Sequence, residues 1–155
     1  MRIVIRLALV LWVAVSVTAT WTRAQLWLSE RALWTDAAHH APDKPRPWVN
    51  LGKQYALDGA PALAADAYER GLTAAQKPGR SKDEQVFGVG IAAANLAILR
   101  CQGGDLEGAQ AIVRPLLARA NDPDRQQPIA TAVSEVNRWL EHQRGAGGCA
   151  PVLSY

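Results

Sequence analysis

In the stretch Trp48-Val-Asn-Leu51-Gly52-Lys-Gln-Tyr55, large side chains recur at spacings of three and four residues. That period puts Trp48, Leu51 and Tyr55 on one face of an α-helix and rules out a strand, whose period is two. Ala64 follows, then Tyr68 one helical turn beyond it. Between the two groups, Asp58-Gly59 breaks the helix and Pro61 suits the first turn of a second one. Gly52 and Ala64 are small where two helices would cross, and Tyr68 fills the space beside that crossing. The pattern predicts two helices separated by a short break at Asp58-Gly59.

The rest of the chain agrees with an all-α fold. Its 155 residues suit one domain, and 49% are hydrophobic, much of that alanine and leucine, which favours packed helices. A single Phe and few β-branched runs beyond the N-terminus argue against a sheet. Lys and Arg number 17 against 14 Asp and Glu, and the resulting +3 is spread along the chain. No basic run is interleaved with aromatics, so nucleic acid is not an expected partner.

The N-terminus asks for a different environment. Leu7 to Thr22 carries no charge and is bracketed by Arg6 and Arg23. At ~1.5 Å per residue this run alone spans roughly 24 Å; including Ile3–Ile5 it approaches the ~30 Å of a hydrocarbon core, with Arg6 able to snorkel. Residues 3–22 are therefore expected to contact a lipid bilayer, with Trp21 and Trp27 at the far interface. Residues 1–28 read as a retained signal-anchor helix. A cleaved secretory signal, cut after Val17-Thr18-Ala19 or Thr22-Arg23-Ala24, and a buried soluble helix are the competing readings. Arg2 and Arg6 favour a cytoplasmic N-terminus, weakened by Arg23 and Arg31, which places the remainder outside the inner membrane, in a periplasm if the cell is bacterial. No Gly or Pro occurs between Met1 and Ala41, so the helix is free to continue into the soluble part.

Downstream, Ser29–Ala41 has Leu33, Trp34, Ala37 and Ala38 on one face and stops at Pro42. Ser81-Lys-Asp-Glu84 is a capping box opening a further helix, in which Gly88 and Gly90 make helicity least secure. Asn95-Leu96-Ala97 echoes Asn50-Leu51-Gly52, Gly104-Asp105 marks a turn, and Asn121-Asp-Pro123 a stop. The offset between the two patterns is 45 residues, so the second hairpin carries a longer first helix. A final helix at 127–143 has Ile129, Val133, Val136, Trp139 and Leu140 inward and Glu135, Arg138 and Glu141 outward. Residues 144–155 read as a flexible tail.

The spacing W-x2-L-G-x2-Y…A-x3-aromatic resembles the tetratricopeptide repeat (TPR) family. The resemblance covers residues 29–143: a half repeat at 29–42, repeats at 45–78 and 81–123, and a capping helix at 127–143. Gly71 departs from it, standing where the family has alanine, and is expected to loosen its helix by up to ~1 kcal/mol. The segment Trp27-Leu-Ser-Glu30…Leu33-Trp34…Pro42 is similar to the juncture of membrane proteins carrying C-terminal repeats. The family implies stacked hairpins that bind a protein or peptide along the face of their first helices.

On that face Asn50 and Asn95 hold the same place in their repeats, one residue before the inward Leu51 and Leu96. In TPR proteins similar to O-linked N-acetylglucosamine transferase, asparagines at this place hold an extended peptide backbone, and an amide can donate and accept at once. The alternative is that both simply bond within the repeat. Arg46 and Lys53 lie on the same side as Asn50 and would favour an acidic partner segment. Trp48 and Tyr68 are expected in the core.

Residues with chemical potential do not assemble into a reaction centre. His39-His40 point about 100° apart on a helix and cannot share one metal. Glu30 with Asp36, and Asp66 with Glu69, fit solvated helix faces, and Gly88-Val-Gly90 is too short for a dinucleotide fingerprint. A non-enzymatic chain with no cofactor is expected. Cys101 and Cys149, the only cysteines, either form a disulfide in an oxidising compartment or remain a packing residue and a free tail thiol. The function these readings imply is a membrane-tethered TPR adaptor. Its alternatives are an accessory subunit of a membrane enzyme such as an envelope glycosyltransferase system, and a cleaved, soluble periplasmic adaptor.

Overall fold

The computed structural model describes residues 2–120, 127–146 and 148–149, and no strand occurs among them. The first helix, α1 (Arg2–Gln25), is long and apolar enough to cross a membrane, and none of its apolar window is buried within the protein. Its 23 residues from Ile3 to Gln25 span roughly 34 Å. The hydroxyls of Thr18, Thr20 and Thr22 donate to the carbonyls of Ala14, Ser16 and Ala19 at 2.9, 2.8 and 3.0 Å, so these three hydroxyls are satisfied within the helix.

The helix does not continue unbroken into the domain, contrary to expectation. A 3-10 turn, Leu26–Leu28, follows it, and Ser29 is extended (φ −137°, ψ 118°). The Ser29 hydroxyl accepts from the Ala32 N–H, starting α2 (Glu30–His40) afresh. A serine that caps the next helix competes with continuing the previous one, and neither Gly nor Pro is needed to break it.

Prolines at the first positions start α3 (Pro45–Leu57) and α4 (Pro61–Ala75), joined by a turn in which Gly59 has φ 69°. Their crossing is as tight as the small residues implied. A Cβ on Gly52 would lie 2.7 Å from the Tyr68 ring. Tyr68 is buried, and burial pushes its phenol up to about 12. Trp48, expected in the core, is only half-buried. Its indole N–H donates to the Pro42 carbonyl at 2.7 Å, and the Arg70 guanidinium stacks on it at 5.0 Å. An indole keeps its apolar ring on the hairpin and turns its one donor to a free carbonyl. Gly71 lies at the same crossing: a Cβ there would sit 3.0 Å from the Val49 methyl of α3.

Helix α5 (Lys82–Gln102) is opened by a reciprocal capping box. The Ser81 hydroxyl accepts from the Glu84 N–H at 3.2 Å, and the Glu84 carboxylate accepts from the Ser81 N–H at 3.2 Å. Its Val86–Ala92 segment is π-helical, and there Gly88 lies against α3 and α4. Asp105 caps α6 (Leu106–Ala120), its carboxylate accepting from the Gly108 N–H at 2.7 Å; α7 (Gln127–Gly145) follows.

The helices pack in sequence, α2 on α3 and α3 on α4, with α5 lying across both helices of that hairpin, and α6 and α7 on α5. One core joins Val49, Ala64 and Tyr68 to Ala92 and Leu96 of α5. The other joins Ala93, Ala97 and Cys101 of α5 to Val113, Val133 and Leu140. Helix α5, apolar and long enough to pass for a membrane span, is thus the buried spine of the domain.

At the C-terminus, the described residues correct the reading of a tail flexible from 144. Helix α7 runs to Gly145, the Gly148 N–H donates to the Gln143 carbonyl at 3.1 Å, and Cys149 is disulfide-bonded to the buried Cys101, with 5.3 Å between their Cα atoms. The expected stop at Asn121-Asp-Pro123, the packing of Ile129 and the tail at 150–155 lie outside the described residues.

Candidate functional site

The expected binding face draws on α3 and α5, which the fold brings alongside each other near their N-termini. Lys44, immediately before α3, pairs with Glu84 in the first turn of α5 at 2.8 Å, and Arg80 reaches the same carboxylate at 3.7 Å. The Lys44 bond and then the Ser81 N–H hold the Glu84 carboxyl below its usual range. Asp43 is likewise held low, chiefly by the bond from Lys77.

Between the two helix starts is a mainly apolar hollow lined by Pro45, Arg46, Pro47, Asp83 and Phe87, among others. The Arg46 guanidinium lies over the Phe87 ring at 4.8 Å, a cation–π contact that holds an exposed cation at the rim. Phe87 was not singled out in the sequence, because it sits in the glycine-containing stretch where helicity was least secure. Being the chain's single Phe was its one available signal.

Asn50 is half-buried, and its amide N–H donates to the Arg46 carbonyl one turn back at 3.1 Å. One amide hydrogen is therefore spent within the helix, while the amide oxygen has no protein donor among the described residues. Lys53 is exposed and Asn95 half-buried, and neither has a side-chain hydrogen bond or ion pair among the described residues. The structure thus links Arg46 to Asn50 directly and to α5 through Phe87, and shows no direct contact between the two asparagines. Arg46 and Lys53 have no carboxylate partner among the described residues, while the Asp83 carboxylate lines the same hollow as Arg46.

The other sequence candidates form local pairs. His40 Nδ1 lies 2.9 Å from the Asp36 carbonyl and 3.3 Å from its carboxylate, with the His39 ring edge-on at 5.2 Å. Asp66 pairs with Arg70 at 2.9 Å, Glu69 with Arg100 at 3.3 Å, and Glu30 accepts from Gln54 at 2.7 Å. Among the described residues no three His, Cys, Asp or Glu side chains group as a metal site. No protein-family model, curated protein or solved structure matches the chain.

Proposed function

We propose that the chain is a membrane-tethered, TPR-like adaptor that holds an extended, acidic peptide segment of a partner protein along the α3–α5 face. The observation that carries this reading is the placement of α5 across the α3–α4 hairpin. The Val86–Ala92 part of α5 lies against α3, with Arg46 and Lys53 unpaired and the Asn50 amide oxygen open among the described residues. A peptide backbone supplies the N–H and carbonyl that Asn50 and Asn95 can each satisfy, and acidic side chains complement the cations. The exposed apolar α1 supports the tether. The Cys101–Cys149 disulfide supports an oxidising, extracytoplasmic compartment, periplasmic in a bacterium.

The test is a photo-crosslinking residue introduced at Lys53 and, as a control, at exposed Arg138 on α7, in cells expressing the full chain. A partner captured from Lys53 alone, and lost with Asn50→Ala plus Asn95→Ala at unchanged circular dichroism, supports the reading. Equal capture from both positions refutes it. A mature mass lacking the first 19 to 24 residues would sink the tether and leave the soluble adaptor.

A further inference from the structure

Outside α1, the large hydrophobic side chains most exposed among the described residues lie at one end of the molecule. Trp27 and Leu28 follow α1 directly and are 73% and 78% exposed; Leu57 and Leu63 flank the α3–α4 turn and are 60% and 53% exposed. Two contacts bring these pairs to the same level. Arg31 bonds Asp58 in the turn at 2.9 Å, and Glu30 accepts from Gln54 at 2.7 Å. They follow from topology, since α2 leads away from the end of α1 and α3, packed antiparallel on it, returns.

The turn reads Leu57-Asp-Gly-Ala-Pro-Ala-Leu63, and its one charge, Asp58, is neutralised by Arg31. The opposite end of the same helices is charged, with Asp43 and Lys44 in one loop and Lys77, Arg80, Lys82 and Asp83 around the other. An apolar tip at one end and a charged rim at the other is the polarity of an element seated on an interface between hydrocarbon and water.

We infer that the α3–α4 turn, residues 57–63, docks into the head-group layer of the bilayer that α1 spans. Leu57 and Leu63 insert beside Trp27 and Leu28. The domain is thereby held upright at two points, with the α2–α3 and α4–α5 loops facing away from the membrane. The inference rests on the tether proposed above and adds a second, independent contact to it. A single helix followed by a 3-10 turn would leave the domain free to swivel; a second contact orients the α3–α5 face relative to the membrane plane.

The experiment uses the full chain in nanodiscs of phosphatidylcholine and phosphatidylglycerol, with and without a lipid carrying a gadolinium chelate on its head group. Amide resonances are read by NMR. The expected result is paramagnetic broadening of residues 57–63 comparable to that of 27–30, with 41–44 and 76–80 unaffected. In the variant Leu57→Glu with Leu63→Glu, broadening at 57–63 falls below that at 27–30, which persists, and flotation with liposomes is unchanged. Broadening that stops at residue 30 in the wild-type protein overturns the docking and leaves the tether standing. Failure of the wild-type protein to float with liposomes overturns the tether and the docking together.

Discussion

Replacing Gly88 with alanine should destabilise the domain although it installs a better helix former. A Cβ at Gly88 would overlap the Ala75 Cβ outright and stand 2.8 Å from the Pro45 Cβ and 3.2 Å from the Gly71 carbonyl oxygen. None of these is the end of a flexible side chain, so relief requires moving α3 or α4 away from α5. Overpacking against rigid neighbours costs typically 1–3 kcal/mol, and three contacts of this kind put the cost at about 3 kcal/mol. The gain in helix propensity returns roughly 1 kcal/mol, leaving a net loss of about 2 kcal/mol. For a domain of this size that lowers Tm by roughly 6–10 °C, readable by circular dichroism on the full chain in detergent. A double-mutant cycle isolates the cause. Ala75→Gly removes the nearest obstacle, so the pair should be more stable than the two single changes summed by at least ~1 kcal/mol. A Gly88→Ala protein that melts at or above wild type, or a cycle with no coupling, would refute the close approach of α5 to α4.

The disulfide closes a separation of 48 residues. In the chain-entropy treatment that constraint is worth about 4 kcal/mol, so Cys149→Ser should lower the urea midpoint markedly, and an unchanged midpoint would contradict the bond. Burial raises the Tyr68 phenol to about 12, so its native-state stabilisation is complete below the unfolded value near ~10 and is lost as pH rises toward 12. In an alkaline absorbance titration Tyr68→Phe should lack the latest-ionising phase. Glu84 is held below its ordinary 4.5, so the stability it adds is present above that value and disappears as pH falls through its lowered native one. Melting temperatures taken at successively lower pH should fall more steeply for wild type than for Glu84→Gln, and parallel curves would argue against the Lys44–Glu84–Ser81 cluster.

Much of the fold was legible because its signals act over a few residues. Pro45, Pro61 and the Ser81–Glu84 box start helices, Asp58-Gly59 ends one, and the spacing of Leu51, Gly52, Ala64 and Tyr68 anticipates the α3–α4 crossing; each works within a turn of itself or across a short hairpin. The positions of Arg46, Asn50, Lys53 and Asn95 along their helices were equally readable. Tertiary structure decided what depends on residues far apart in sequence. Gly88 looked like a weakness in a helix, and only the approach of Pro45, Gly71 and Ala75 makes it a close-packed crossing. Phe87 acquires a role because α5 carries it under Arg46, and Trp48 is drawn to the half-buried edge by a carbonyl in a loop. The Cys101–Cys149 bond needs α7 to return along α5. Helical period and capping are set by backbone geometry within about four residues, whereas these contacts are set by where helices cross, which the packing of the whole core determines.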